Sequence, residues 1–153
     1  MWISFVQSRS FKESRRASTG KKITVTGTTV SELWLIDSSA WLEYLTQDHD
    51  AAKFAPFIES GSPTLVPTIV LYEVVKVLMR QRGKIVADRF LSEALRRVVV
   101  PLDEDVALAA AHIGNETKLA MADAIIYATA QAHQAQLVTG DAAFRGLPGV
   151  IIP

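Results

Sequence analysis

Short apolar runs alternate with longer helical patterns from Leu33 to the C-terminus, and this alternation restricts the fold more than any other feature of the sequence. The strand-like runs read "LWLI", "PTLV", "VVVPL", "AQLVTGD" and "GVIIP". The helical segments between them read "SSAWLEYL", "DAAKFAPFIES", "TIVLYEVVKVLMRQRG", "KIVADRFLSEALRR", "DEDVALAAAHIGNE" and "DAIIYATAQAHQ". Strands separated by helices are joined by crossovers and pair in parallel. The pattern therefore predicts an α/β fold, with a mainly parallel central sheet flanked by helices on both faces.

Serine, proline and glycine residues predict where several of these elements begin and end. Ser38 or Ser39 is available to cap the first helix. Pro67 is expected to end the second strand, and Pro56 to disturb the helix that contains it. Gly83 is expected to end the helix of "TIVLYEVVKVLMRQRG", because glycine adopts the left-handed backbone of a C-cap without strain.

The composition of the chain excludes several kinds of protein and site. Hydrophobic residues make up 49% of the 153 residues and charged residues 21%, which suits one compact domain over residues 33–153. There is no cysteine, which excludes disulfides and thiolate zinc sites and permits a cytoplasmic location. The three histidines are far apart and form no metal-binding spacing. No apolar stretch approaches the roughly 20 residues of a membrane-spanning helix, so no membrane association is expected.

Residues 1–32 differ from the rest of the chain in charge and in pattern. They hold six basic residues against two acidic ones, and they are rich in serine and threonine without sustained periodicity. We expect a basic, poorly ordered N-terminal extension, with contact to nucleic acid as the alternative.

Four carboxylates stand in apolar surroundings. Asp37 follows "LWLI", Glu73 lies within "IVLYEVVKV", Asp123 within "LAMADAIIYA", and Asp141 follows "QLVTG". Two of the four fall at the predicted ends of strands and one opens a helix. Because the carboxyl ends of parallel strands meet at one edge of a sheet, a single polar crevice there could collect all four.

Each acid also has an ordinary structural explanation. Asp37 and Asp123 could cap the helices that follow them, and Asp141 could be a turn residue. Glu73 could form a solvated stripe with Lys76 and Arg80, three and seven residues further on. The four acids are more informative as a set. Like charges brought together oppose ionisation, and a hard divalent cation, Mg²⁺ or Mn²⁺, removes that conflict.

The order of "LIDSSAW", "TIVLYEVVKVL", "AMADAIIYATA" and "LVTGDAAF" resembles the PIN-domain ribonucleases, and among them the VapC-type toxins of toxin–antitoxin modules. The resemblance covers roughly residues 33–153. It implies a metal-dependent endoribonuclease in which Asp37, Glu73, Asp123 and Asp141 are catalytic and bind Mg²⁺ or Mn²⁺. Thr139 matches a hydroxyl residue that could orient the last acid or a water. An RNA substrate, a cognate antitoxin protein and a homodimer are implied as well.

The chain departs from the family at Gly140, where many relatives have a basic or larger residue. The candidates for contact with RNA are basic residues near the predicted acids: Arg80, Arg82, Lys84, Arg96, Arg97 and Arg145.

Other classes of protein fit the sequence less well. No glycine-rich dinucleotide fingerprint or phosphate-binding loop follows the first strand. Asp37 has no acidic neighbour of the kind that a phosphoaspartate receiver domain would place there. A noncatalytic PIN-like module that binds RNA or protein remains the alternative, although such a module has no electrostatic reason to keep four acids together.

Overall fold

The computed structural model of the chain describes residues 32–153 and, before them, the backbone of two short strands. Strands β1 (Ile23–Val25) and β2 (Thr28–Val30) pair antiparallel and form a sheet of their own. The remainder of the expected extension over residues 1–32 lies outside the described residues, apart from Glu32.

A five-stranded sheet forms the centre of the described domain. Its strands are β3 (Trp34–Ile36), β4 (Thr64–Pro67), β5 (Val98–Val100), β6 (Gln136–Val138) and β7 (Val150–Ile151). They lie in the order β5-β4-β3-β6-β7, and every neighbouring pair is parallel. The helices that connect them are α1 (Ser38–Thr46), α2 (Ala51–Ile58), α3 (Thr68–Gln81), α4 (Lys84–Ala94), α5 (Glu104–Thr117) and α6 (Met121–Ala132). The predicted α/β fold with a parallel sheet is confirmed.

The chain reverses its direction of travel across the sheet between β3 and β6. From β3 it proceeds outward through β4 to β5, then returns through α5 and α6 to β6 on the other side of β3. In open parallel sheets such a switch point leaves a crevice beyond the carboxyl ends of the two strands, where ligands bind. The crevice of this sheet therefore lies beyond Ile36 and Val138, which are paired in register.

The central strand β3 is buried on both faces, which explains why its sequence is apolar throughout. Trp34, Leu35 and Ile36 are all buried although successive side chains of a strand point to opposite faces. Both faces of the sheet are therefore covered, as expected for a parallel sheet with crossover helices. Beyond the sheet, Trp41 of α1 packs edge-to-face on Phe90 of α4, with ring centroids 5.4 Å apart.

The boundary signals agree with the structure at Gly83 and Pro67, and less well at Pro56. Gly83 has φ 81° and donates its amide to the Leu78 carbonyl, closing the end of α3. Pro67 is the last residue of β4, and α3 starts directly after it. Helix α2 continues through Pro56 to Ile58, however, so the proline does not end it. Within the described residues, no helix has both the length and the apolar character needed to span a membrane.

The contact between Trp41 and Phe90 gives a test of the packing. Phe90→Ala is expected to lower the free energy of unfolding by about 3–5 kcal/mol, because the ring is fully buried and its removal leaves a cavity. Urea denaturation followed by tryptophan fluorescence measures the change. Ile85→Ala on the same helix is the control. Its side chain is exposed, so its effect should stay within about 0.5 kcal/mol. Equal losses for both variants would contradict this packing.

Candidate active site

Asp37 lies at the junction between β3 and α1 and is only 3% exposed. One carboxylate oxygen accepts the backbone amide of Ser38 at 2.6 Å. The other accepts the hydroxyls of Ser39 at 2.6 Å and Thr139 at 2.7 Å. The interpretation of Asp37 as a helix cap is confirmed, and the expectation that Ser38 or Ser39 would cap α1 is wrong because both lie inside the helix. The capping carboxylate, however, also accepts a hydrogen bond from Thr139, which follows the neighbouring strand β6.

Thr139 connects the first and the last of the predicted acids. It follows β6, is fully buried, and donates its hydroxyl to Asp37. The same oxygen accepts the backbone amide of Asp141 at 3.0 Å. Because β3 and β6 are parallel and in register, Asp37 and Thr139 occupy corresponding positions at their carboxyl ends. One hydroxyl thus sets the position of Asp141 relative to Asp37.

Asp141 lies on the exposed side of this arrangement. Its Oδ1 accepts the amide of Ala143 at 2.8 Å and so caps the 3₁₀ turn Ala142–Phe144. The interpretation of Asp141 as a turn residue is therefore correct as local structure. The turn also leaves the aspartate accessible to solvent at the mouth of the crevice, whereas Asp37 forms its buried floor.

Glu73 reaches the site from α3. It is half-buried, so the predicted solvated stripe does not describe it, although the charge of Lys76 does act favourably on it. Burial raises the pKa of Glu73, a hydrogen bond with Ser38 partly offsets this, and the charge of Asp37 raises the pKa further. Its Oε2 is buried without a hydrogen-bond partner among the described residues. A buried carboxylate oxygen of this kind is costly unless something else binds it.

Asp123 enters the site from α6. That helix begins at Met121 with Ala120 in the cap position, so Asp123 is in the first turn and the interpretation of it as a cap is wrong. Burial raises the pKa of Asp123 most, and the charges of the other three acids add to it, so that the pKa rises from 3.8 to about 6. Each of the other three predicted acids is thus close enough to Asp123 for its charge to act on that carboxyl group.

The arrangement of the acids is open. Within residues 32–153, no three acidic or histidine side chains are grouped closely enough to enclose a metal ion by themselves. Magnesium is commonly held by one or two carboxylates and several waters, a mode of binding that does not require a closed protein cage.

Ser39 is a site residue that the sequence indicated only as a cap. Its hydroxyl bonds Asp37 and accepts the Gly140 amide at 3.0 Å, and it lies 3.2 Å from the Thr139 hydroxyl. A side chain at Gly140 would bring its Cβ within 3.3 Å of the Phe54 ring, a tight approach. The glycine that departs from the family pattern therefore suits the packing of α2 against this loop. The pairing of β3 with β6, which the sequence does not show, is what brings Ser39 to this loop.

The structure separates the basic candidates into two groups. Arg96 and Arg97 pair with Glu93, and Lys84 pairs with Asp88. Arg97 also donates to the Ile58 carbonyl and lies over the Trp41 ring, so it serves the packing. Within the part of the chain that the structure describes, the exposed candidates without an ion pair are Arg80, Arg82 and Arg145.

The raised pKa of Asp123 predicts a pH-dependent stability for the metal-free protein. Because its pKa rises from 3.8 to about 6 on folding, the folded chain binds the proton more tightly than the unfolded chain. The resulting contribution to stability is fully present below about pH 3.8 and is lost as the pH rises through about 6. Asp123→Asn should therefore raise Tm in EDTA at pH 7.5 and leave it unchanged near pH 4.

Differential scanning calorimetry at both pH values measures this effect. Glu116→Gln removes an exposed carboxylate elsewhere and serves as the matched control. A Tm difference for Asp123→Asn that is the same at both pH values would contradict the electrostatic interpretation.

Comparison with known proteins identifies the family. The sequence profile of the PIN domain matches residues 34–150. No curated protein is similar enough in sequence to be matched. Among solved structures, the chain is similar to a toxin-antitoxin complex from Klebsiella pneumoniae, with 25% identity and a TM-score of 0.66, over 77% of this chain and 95% of the other.

Two further structures share the fold at lower identity. The toxin VapC20 of Mycobacterium tuberculosis, which cleaves the sarcin-ricin loop, is 19% identical with a TM-score of 0.64, over 76% of this chain and 95% of that one. VapBC2 of Rickettsia felis, bound to a promoter DNA fragment, is 16% identical with a TM-score of 0.61, over 78% and 96%. The profile match runs from β3 to the start of β7 and includes all four acids, and the chain therefore belongs to the PIN-domain family.

Proposed function

We propose that this PIN-domain protein is a metal-dependent endoribonuclease that hydrolyses RNA phosphodiester bonds. Asp37, Glu73, Asp123 and Asp141 are its metal-binding and catalytic acids, and Thr139 positions them. The observation that carries the proposal is the meeting of these four acids at the switch point of the sheet, beside the hydrogen bond between Asp37 and Thr139. Burial and then the charges of the other three acids raise the pKa of Asp123 there. Natural proteins keep such repulsion at functional sites, where a ligand relieves it.

The donor set fits a hard divalent cation. All four side chains supply carboxylate oxygens, which suit Mg²⁺ or Mn²⁺, and the half-buried Glu73 has one oxygen without a partner among the described residues. When bound, such a cation supplies activation of water and stabilisation of negative charge on the phosphate.

The chain's own residues supply preorganisation and access. The Ser38 amide and the hydroxyls of Ser39 and Thr139 fix the orientation of Asp37 before any ligand arrives. A group held by several buried donors needs little rearrangement during a reaction, which lowers the barrier. Asp141 is exposed and Asp37 is buried. The phosphodiester therefore approaches the site from the side of Asp141.

We place this nuclease in a toxin–antitoxin module. Support comes from the solved structures, which include a toxin-antitoxin complex at 25% identity and 95% coverage of that chain. The proposal therefore includes a cognate antitoxin protein, a homodimer and a cytoplasmic location, where RNA and the antitoxin would both be encountered.

The test of the nuclease is cleavage of a labelled structured RNA by the purified protein, with Mg²⁺ or Mn²⁺ and with EDTA. Asp37→Asn and Asp141→Asn should each lower the rate by more than about 100-fold, since the change removes a charge from the donor set. Both should also lose the rise in Tm that Mn²⁺ gives the wild-type protein. Glu116→Gln, an exposed acid on α5, is the control and should cut normally.

Full activity in either site variant would contradict the assignment of the acids. If the wild-type protein neither cuts RNA nor gains Tm with metal, the noncatalytic PIN-like module replaces the nuclease.

The hydroxyl of Thr139 gives a second test. Thr139→Val keeps the shape of the side chain and removes the donor to Asp37, so cleavage should fall by about 10- to 100-fold. Thr139→Ser should restore most of the activity, because it keeps the hydroxyl. Comparison of kcat and Tm for the two variants measures the effect. A Thr139→Ser variant as inactive as Thr139→Val would show that the methyl group matters instead.

A further inference from the structure

A surface groove runs along α3 directly beside the acidic site. It has a volume of about 260 Å³ and is lined by Tyr72, Glu73, Lys76, Val77 and Arg80. Glu73 belongs both to this groove and to the acidic site, so the two are continuous. At 1.5 Å per residue, the groove extends roughly 10 Å along the helix from Glu73 to Arg80.

The charge of the groove is positive beyond Glu73. Lys76 and Arg80 form no ion pair with a carboxylate in the part of the chain that the structure describes. Lys53, Lys84 and Arg97, by contrast, each pair with an acid three or four residues away on or beside their own helix. The two groove cations therefore remain available for an anionic ligand, and they lie next to the acids that are proposed to act on phosphate.

Tyr72 gives the groove an exposed aromatic wall. The residue is 59% exposed, although a tyrosine ring normally gains from burial. Lys76 holds it in place, because its Nζ lies 5.3 Å from the ring centroid and donates to the Tyr72 hydroxyl at 3.2 Å. The ring is thus positioned by a cation yet left open to solvent.

Resting on the proposed nuclease function, we infer that this groove binds a single-stranded segment of the RNA next to the cleaved bond. An unpaired base stacks on Tyr72, and the phosphates of that segment lie against Lys76 and Arg80. An exposed aromatic ring with adjacent cations is the usual platform for single-stranded nucleic acid. A paired base offers no free face for such stacking, so the groove selects unpaired RNA. An acidic peptide would match the charge but not the aromatic wall.

The experiment measures binding without cleavage. A fluorescent, unstructured RNA oligonucleotide is titrated with the full chain in EDTA, and its anisotropy gives Kd at several salt concentrations. Tyr72→Leu should weaken binding by about 5- to 100-fold, the range for loss of one stacked base, whereas Tyr72→Phe should bind like the wild type. Lys76→Gln and Arg80→Gln should each reduce the slope of log K against log salt by about 0.7.

The matched controls are an exposed arginine on α4 and a second RNA. Arg89→Gln lies outside the groove and should leave the salt slope unchanged. A fully paired duplex of the same sequence should bind with an affinity that does not depend on Tyr72. Because Tyr72 is largely exposed, its variants should keep the wild-type Tm, which a thermal scan verifies.

Several results would overturn the inference. They are an unchanged Kd for Tyr72→Leu, an equal loss for Tyr72→Phe, and a duplex whose affinity also depends on Tyr72. If Tyr72→Leu changes the oligomeric mass in solution and leaves Kd for RNA unchanged, this face contacts a second copy of the chain instead of RNA. Failure of the nuclease is separate: it appears as no cleavage by the wild-type protein with metal, while binding in EDTA still decides the role of the groove.

Discussion

The hydrogen bond between Asp37 and Thr139 joins the two sides of the sheet at the point where the chain changes direction. Asp37 directly follows the central strand β3, and Thr139 directly follows β6, the neighbouring strand on the other side of the switch point. The parallel register of these strands places the two residues level with each other. Further hydrogen bonds surround this contact: Asp37 caps α1, the Ser39 hydroxyl accepts the Gly140 amide, and the Thr139 hydroxyl accepts the Asp141 amide.

The acids near this contact work against the stability of the metal-free fold. Burial, and after it the charges of the other three acids, raises the pKa of Asp123 to about 6, and Glu73 has a buried oxygen without a partner among the described residues. A globular chain that is only marginally stable has little reason to retain such conflicts for folding alone. This loss of stability is explained if a ligand of opposite charge binds the acids in the functional protein.

The sequence predicted the elements well because apolar periodicity and boundary residues are local properties. The strand at Trp34–Ile36 and the helix that ends just before Gly83 are examples. The convergence of the acids could be expected from the rule for parallel sheets. The role of Ser39 could not, because two of its three polar contacts, those with Thr139 and Gly140, depend on which strand lies beside β3. The start of α6 before Asp123 was also missed, since Ala120 has no capping side chain to mark it.

Helix α3 has a buried face and an exposed face. Val70, Val74 and Leu78 recur every four residues and are fully buried, so they hold the helix in the main hydrophobic core. Tyr72, Lys76 and Arg80 follow the same spacing on the outer face. Residues of the outer face can therefore change during evolution without disturbing the packing that holds Glu73. A lineage of such proteins could acquire new RNA preferences by substitutions on one helix surface, while its chemistry stays the same.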